Sequence, residues 1–202
     1  MKPGWGRFAT VVLLALAGSA RAEEPPRVAT DDFPVRSTGR LALDAGLLMS
    51  RALTLQAGMA TGVGAGLTYG RGRLALGARA SWSTATESSL FWTVTDDDYR
   101  LRAVAALRQP LGRGAFALRL GAGATIVHED RVRNQGARAN LQGAALETTA
   151  TAALPAADVE LVATIHVLGP WLFVASGGPS ALVEDGALRW GWTATLGAGW
   201  QP

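Results

Sequence analysis

Cysteine is absent from the 202 residues, which removes a disulfide framework, a thiolate metal site and an acylated lipoprotein anchor together. Lysine is almost absent as well: Lys2 is the single one, and every other basic side chain apart from histidine is arginine. Histidine occurs twice, at His128 and His166. Beyond the first residues no long apolar run survives. The longest, Leu161 to Ala175 (LVATIHVLGPWLFVA), is broken by His166 and Gly169-Pro170 and falls short of the roughly 20 residues a spanning helix needs. The formal charge of +3 resides in Lys2, Arg7 and Arg21, so the chain beyond residue 22 is neutral and offers no basic surface to nucleic acid.

Those three cations belong to a leader. Lys2 and Arg7 precede the apolar stretch Phe8 to Ala17, and Ala20-Arg21-Ala22 forms a small-residue cleavage site. The sequence predicts a signal peptide over 1–22, cut after Ala22. Pro25, Pro26 and Pro34 stand among carboxylates and arginines, so 23–38 reads as an irregular tail. A single domain over 39–202 follows.

From Arg40 onward apolar residues recur with a period of two, the signature of strands. Leu188, Trp190, Trp192, Ala194, Leu196, Ala198 and Trp200 share one parity, against Arg189, Gly191, Thr193, Thr195, Gly197 and Gly199. Leu74, Leu76, Ala78, Ala80 and Trp82 oppose Arg73, Gly77, Arg79, Ser81 and Ser83 in the same way. The pattern predicts eight strands, at about 39–49, 53–69, 73–86, 99–109, 115–129, 142–154, 159–173 and 187–200. Tight turns are expected at Gly70-Arg71-Gly72, at 109–114 and at Pro155 to Asp158, with long loops over 87–98, 130–141 and 174–186. The first hairpin, around Ser50-Arg51, is short where the scheme wants a longer loop.

Every such strand must hide its apolar side, either in a protein core or in lipid. In a soluble sandwich or lipocalin the opposite side is charged and wet. Here it is rich in glycine, alanine, serine and threonine with widely spaced charges. That composition suits the narrow interior of an eight-stranded barrel, and closure removes the edges that hydrocarbon forbids. The expected fold is therefore an all-β, eight-stranded, antiparallel up-and-down transmembrane β-barrel. By this threading Trp82, Tyr99, Trp171, Trp190 and Trp192 gather at the long-loop end, and Tyr69, Phe116 and Trp200 at the short-turn end, as two aromatic girdles.

An exported leader, eight alternating strands, short turns opposite long loops and a last strand closing on Trp200 resemble the small outer-membrane barrels of the OmpA-transmembrane-domain and OmpX type, over roughly 39–200. The resemblance implies the outer membrane of a Gram-negative bacterium, periplasmic termini, surface loops, and insertion by the barrel-assembly machinery. Such barrels finish on the aromatic itself, whereas Gln201-Pro202 follow here. It implies contact with lipid and lipopolysaccharide, a monomeric state, and no cofactor.

Parity turns Asp44, Arg79, Arg100, Arg102, Arg108, Arg119, Glu147, Glu160, Arg189 and His166 into the lumen, where buried charges require partners. An arginine–carboxylate network that plugs the barrel is expected. Two rival readings exist. One is a lipid A deacylase or acyltransferase built on histidine and serine, but His128 and His166 have opposite parities, and no serine stands two residues from His128. The other is a soluble periplasmic lipocalin-like binder. Asp96-Asp97-Asp98 reads as a solvated acidic loop rather than a metal site, since consecutive carboxylates do not converge. Leu90-Phe91-Trp92 reads as an exposed apolar patch, and Arg131, Arg133 and Arg138 as lipopolysaccharide contacts, making 87–98 and 130–141 the expected partner surfaces.

Overall fold

The computed structural model describes residues 39–51, 58–134 and 147–202. The expected signal peptide and tail, and Arg138, lie outside the described residues. Eight strands follow in order: β1 (Arg40–Arg51), β2 (Met59–Arg71), β3 (Leu74–Ser88), β4 (Trp92–Leu111), β5 (Gly114–Arg133), β6 (Glu147–Leu168), β7 (Trp171–Glu184) and β8 (Ala187–Trp200). Each pairs antiparallel with the next, and β1 pairs with β8 from Leu43↔Trp200 to Ser50↔Thr193, closing the barrel.

Residue alternation decides which way the sheet curls. On the outward parity Leu118 is 44% exposed and Leu196 54%, while Arg119, next in sequence to Leu118 and on the opposite parity, keeps only 5%. Apolar side chains in water would be costly, and a ring of them around a closed sheet is the exterior that acyl chains accept. The inward parity carries the buried polar groups, among them Ser50, Ser83, Thr125, Thr193 and Thr195. An apolar cluster of Val162, Leu172 and Val174 joins them toward the short-turn end of the lumen.

At one end, with the start of β1 and the end of β8, three two-residue turns connect the strands. Gly72, Gly112 and Gly169 take positive φ there (63°, 53° and 53°), as the first position of a tight hairpin demands. The other end carries the 89–91 connection and the Asp185-Gly186 turn with φ of 50° and 76°. A membrane-spanning strand needs about 9–11 residues. β4 and β5 have 20 each and β6 has 22, so they continue well past the barrel rim.

Two expected boundaries are corrected. Pro155 to Asp158 is no turn: it lies inside β6, and the turn falls at Gly169-Pro170 instead. Pro155 sits where β6 has a neighbour on one side only, a place where a strand tolerates proline. The expected loop 174–186 is mostly β7. Gly177-Gly178-Pro179 looks like a breaker, but the β6–β7 register is the same on both sides of it, Leu161↔Gly177 and Asp158↔Ser180. A Cβ at Gly178 would stand 2.0 Å from the Val159 carbonyl oxygen, so the glycine lets the strands close. Likewise the expected loop 87–98 shrinks to the 89–91 turn, and Asp96, Asp97 and Asp98 belong to β4.

Candidate functional site

The lumen is organised around arginine forks. Glu160 on β6 is shared: Arg119 donates to its Oε2 from Nε (2.7 Å) and from Nη2, Arg79 Nη1 approaches the same oxygen at 3.4 Å, and Thr193 donates to Oε1 at 3.1 Å. Arg79 also donates to Thr195 (2.9 Å) and Arg119 to Ser176 (3.1 Å). The carboxylate itself joins β3, β5, β6 and β8, and the Arg119–Ser176 bond adds β7 to the network. The planar guanidinium supplies several donors in fixed directions, which suits this crowded space better than an ammonium group.

Nearer the long-strand end Arg102 donates to Asp158 (2.6 Å) and Thr125 (2.9 Å), and Arg100 to Asp98 (3.0 Å) and Ser50 (2.9 Å). Toward the short-turn end Arg108 donates to Thr68 (3.1 Å), and Asp44 is half-buried.

Of the expected lumen residues, Asp44, Arg79, Arg100, Arg102, Arg108, Arg119 and Glu160 face inward. Three do not join them. Glu147 is exposed at the far tip of β6, nine residues before β7 begins to pair. His166 is exposed beside the irregularity at His166/Leu168, where the register shifts ahead of the turn. Arg189 lies at the mouth, paired with Glu184 at 2.9 Å. Asp98 and Asp158 are the lumen partners that the sequence reading misses, because each falls in an expected loop or turn. A signal exists, since continuing the period of two through 92–102 and 154–162 puts both on the inward parity.

The aromatic rings sort by height with one correction. Trp82 and Tyr99 are cross-strand partners on the long-strand side, and Trp190 and Trp192 stand near the Asp185-Gly186 turn. Tyr69, Phe116 and Trp200 lie by the short turns. Trp171 belongs with them, paired with Trp200, and not with the opposite girdle, because the chain turns at Gly169-Pro170 rather than further on.

Above the Trp82–Tyr99 row, β3 to β6 continue as a four-stranded sheet outside the barrel. Its outward face is built of hydroxyls and acids: Thr84, Asp97, His128 and Thr151 are successive neighbours in one row, Thr86, Thr95, Asp130 and Thr149 in the next. His128 Nδ1 meets the Thr151 hydroxyl at 2.8 Å, and Thr149 donates to Asp130 at 2.8 Å. Of the arginines expected to reach lipopolysaccharide, Arg131 and Arg133 make contacts within the sheet. Arg131 is bound to Glu129, and the Arg133 guanidinium stacks 4.9 Å from the Trp92 ring centroid. His128 and His166 are far apart: Thr151, opposite His128, is 15 residues from His166 along β6, about 50 Å at strand rise.

At the tip, the 89–91 turn is clamped. Asn134 donates from its side chain to the Ser89 carbonyl (2.6 Å) and from its backbone to the Phe91 carbonyl (3.0 Å), and it accepts from Thr93 (2.9 Å). Held this way, Leu90 is 80% exposed and Phe91 56%.

No protein-family model matches the chain, and no curated protein sequence does. Solved structures resemble it. A major outer membrane protein of Thermus thermophilus superposes with a TM-score of 0.58 at 9% identity, covering 81% of this chain and 99% of its own. Ail, the attachment invasion locus protein of Yersinia pestis, superposes at 0.51 and 14% identity, over 81% and 99%. Identities this low establish the fold alone. That fold is the small eight-stranded outer-membrane β-barrel, and the apolar exterior makes the outer membrane its place.

Proposed function

We propose that the chain is a surface-interaction protein, exported by the 1–22 leader, inserted by the barrel-assembly machinery, and monomeric within its membrane. Its lumen is closed by the arginine–carboxylate network and conducts no solute. The outward hydroxyl and acid rows stand against lipopolysaccharide, and the tip presents apolar side chains to a partner. The carrying observation is that tip: Leu90 and Phe91 are held in water by three hydrogen bonds of one asparagine, and pre-ordering lowers the cost of binding.

The absence of native cysteine makes a clean test available. Leu90→Cys should react with a membrane-impermeant maleimide on intact cells, and Arg73→Cys, in a turn at the opposite end, only after the outer membrane is permeabilised. The reverse labelling would overturn the orientation. The enzyme reading is tested separately. His128→Ala and His166→Ala should leave the lipid A mass profile unchanged, and a shifted acyl pattern in either would make the protein a lipid A modifying enzyme.

A further inference from the structure

The β5–β6 ladder extends outward to Val132↔Glu147, whereas β6 and β7 begin to pair only at Ala156↔Leu182. Over Glu147–Pro155, then, β6 has β5 on one side, and among the described residues no strand pairs with its other side. Glu147 through Ala153 are exposed on both faces. An open edge presents unpaired N–H and C=O groups, and proteins usually blunt it with charge, proline, a bulge or a cover. Here Thr148 to Leu154 (TTATAAL) contains no charged residue, no proline and no glycine.

We infer that this edge pairs with the same edge of a second copy standing in an opposing outer membrane. Symmetry selects that arrangement. Two copies in one membrane are related about the membrane normal, which leaves their β6 strands parallel. Copies in facing membranes run oppositely, so a two-fold axis between them gives isologous antiparallel pairing, the stronger ladder. With Thr151 on the axis, Ala150 meets Ala152, Thr149 meets Ala153, and Thr148 meets Leu154. Charge selects it again, because a neutral edge meets its own copy without repulsion. Thr148 to Ala152 lie above the row that joins Trp82, Tyr99, Ile126 and Ala153, and Leu154 stands one residue below it. One short ladder is weak, but many between two cell surfaces act together. The inference rests on the outer-membrane reading.

The test uses the full mature chain in phosphatidylcholine nanodiscs loaded with one barrel each, so that any association joins two discs face to face. Sedimentation velocity should show disc pairs growing with concentration toward about 100 µM, the range of a weak contact. Ala150 and Ala152 are exposed, so A150K/A152K sets like charges across the axis at no cost to the barrel. That variant should pair about tenfold less well, and mixing it with A150E/A152E should restore pairing. Wild-type discs that stay single, an A150K/A152K variant that pairs undiminished, or a mixture without rescue would each overturn the proposal. An unboiled gel shift in every variant confirms the barrel; its loss in the wild type would instead refute the outer-membrane reading.

Discussion

Glu160→Ala is expected to cost about 3–5 kcal/mol of stability, the range for breaking a buried ion pair by removing one partner. The carboxylate compensates Arg79 and Arg119 at once, and side chains of all three are at most 10% exposed. Without it two guanidinium groups face each other in a narrow lumen. The effect is read as a fall in the urea concentration at which the folded, fast-migrating band on unboiled gels is lost. Replacing all three by leucine removes the uncompensated charges and should recover most of the loss, since an apolar substitute for a complete buried ion cluster is often neutral. A triple variant as unstable as Glu160→Ala would show that shape, not charge, governs the lumen.

Leu196→Arg should be the most damaging single change on the exterior. Leu196 pairs with Leu47 on one side and Ala175 on the other, midway between Trp192 and Trp200 on β8, and faces outward. Arginine near the bilayer midplane of a barrel costs about 2–4 kcal/mol, falling to about 0–1 near the interfaces. Leu188→Arg, on the same face close to the Asp185-Gly186 turn, therefore serves as the control. Urea titration of both variants refolded in phosphatidylcholine bilayers measures the difference. Equal costs would mean that depth in a bilayer is not what these positions sense.

How far the sequence can be read depends on where a segment sits relative to lipid. β8 is legible residue by residue, because one face of the strand must be apolar inside the bilayer. Above the rim the reading fails. Thr93, Thr95 and Asp97 face one way there and Val94, Asp96 and Asp98 the other, both sides largely polar, so the periodicity carries little hydrophobic signal although the strand continues. It fails again where breakers sit in strands. Pro155 and Gly177-Gly178-Pro179 mimic chain reversals, while the true hairpin signal, Asp185-Gly186 between Val183-Glu184 and Ala187-Leu188, hides inside an expected loop. The expected count of eight strands matches the structure, yet the bounds of β6 and β7 do not.

The lumen shows the same division. Parity alone puts Arg79, Arg119 and Glu160 on the inside. Their convergence depends on register between strands far apart in sequence, and no local pattern encodes it. Arg79 and Glu160 are 81 residues apart when they meet. By itself the amino-acid sequence determined the barrel and its lipid-facing side, because burial of alternate residues is a local property of each strand. Only the tertiary structure decided which charges pair, where Trp171 belongs and which edge of β6 has no partner strand among the described residues, because those follow from the lengths and registers of neighbouring strands.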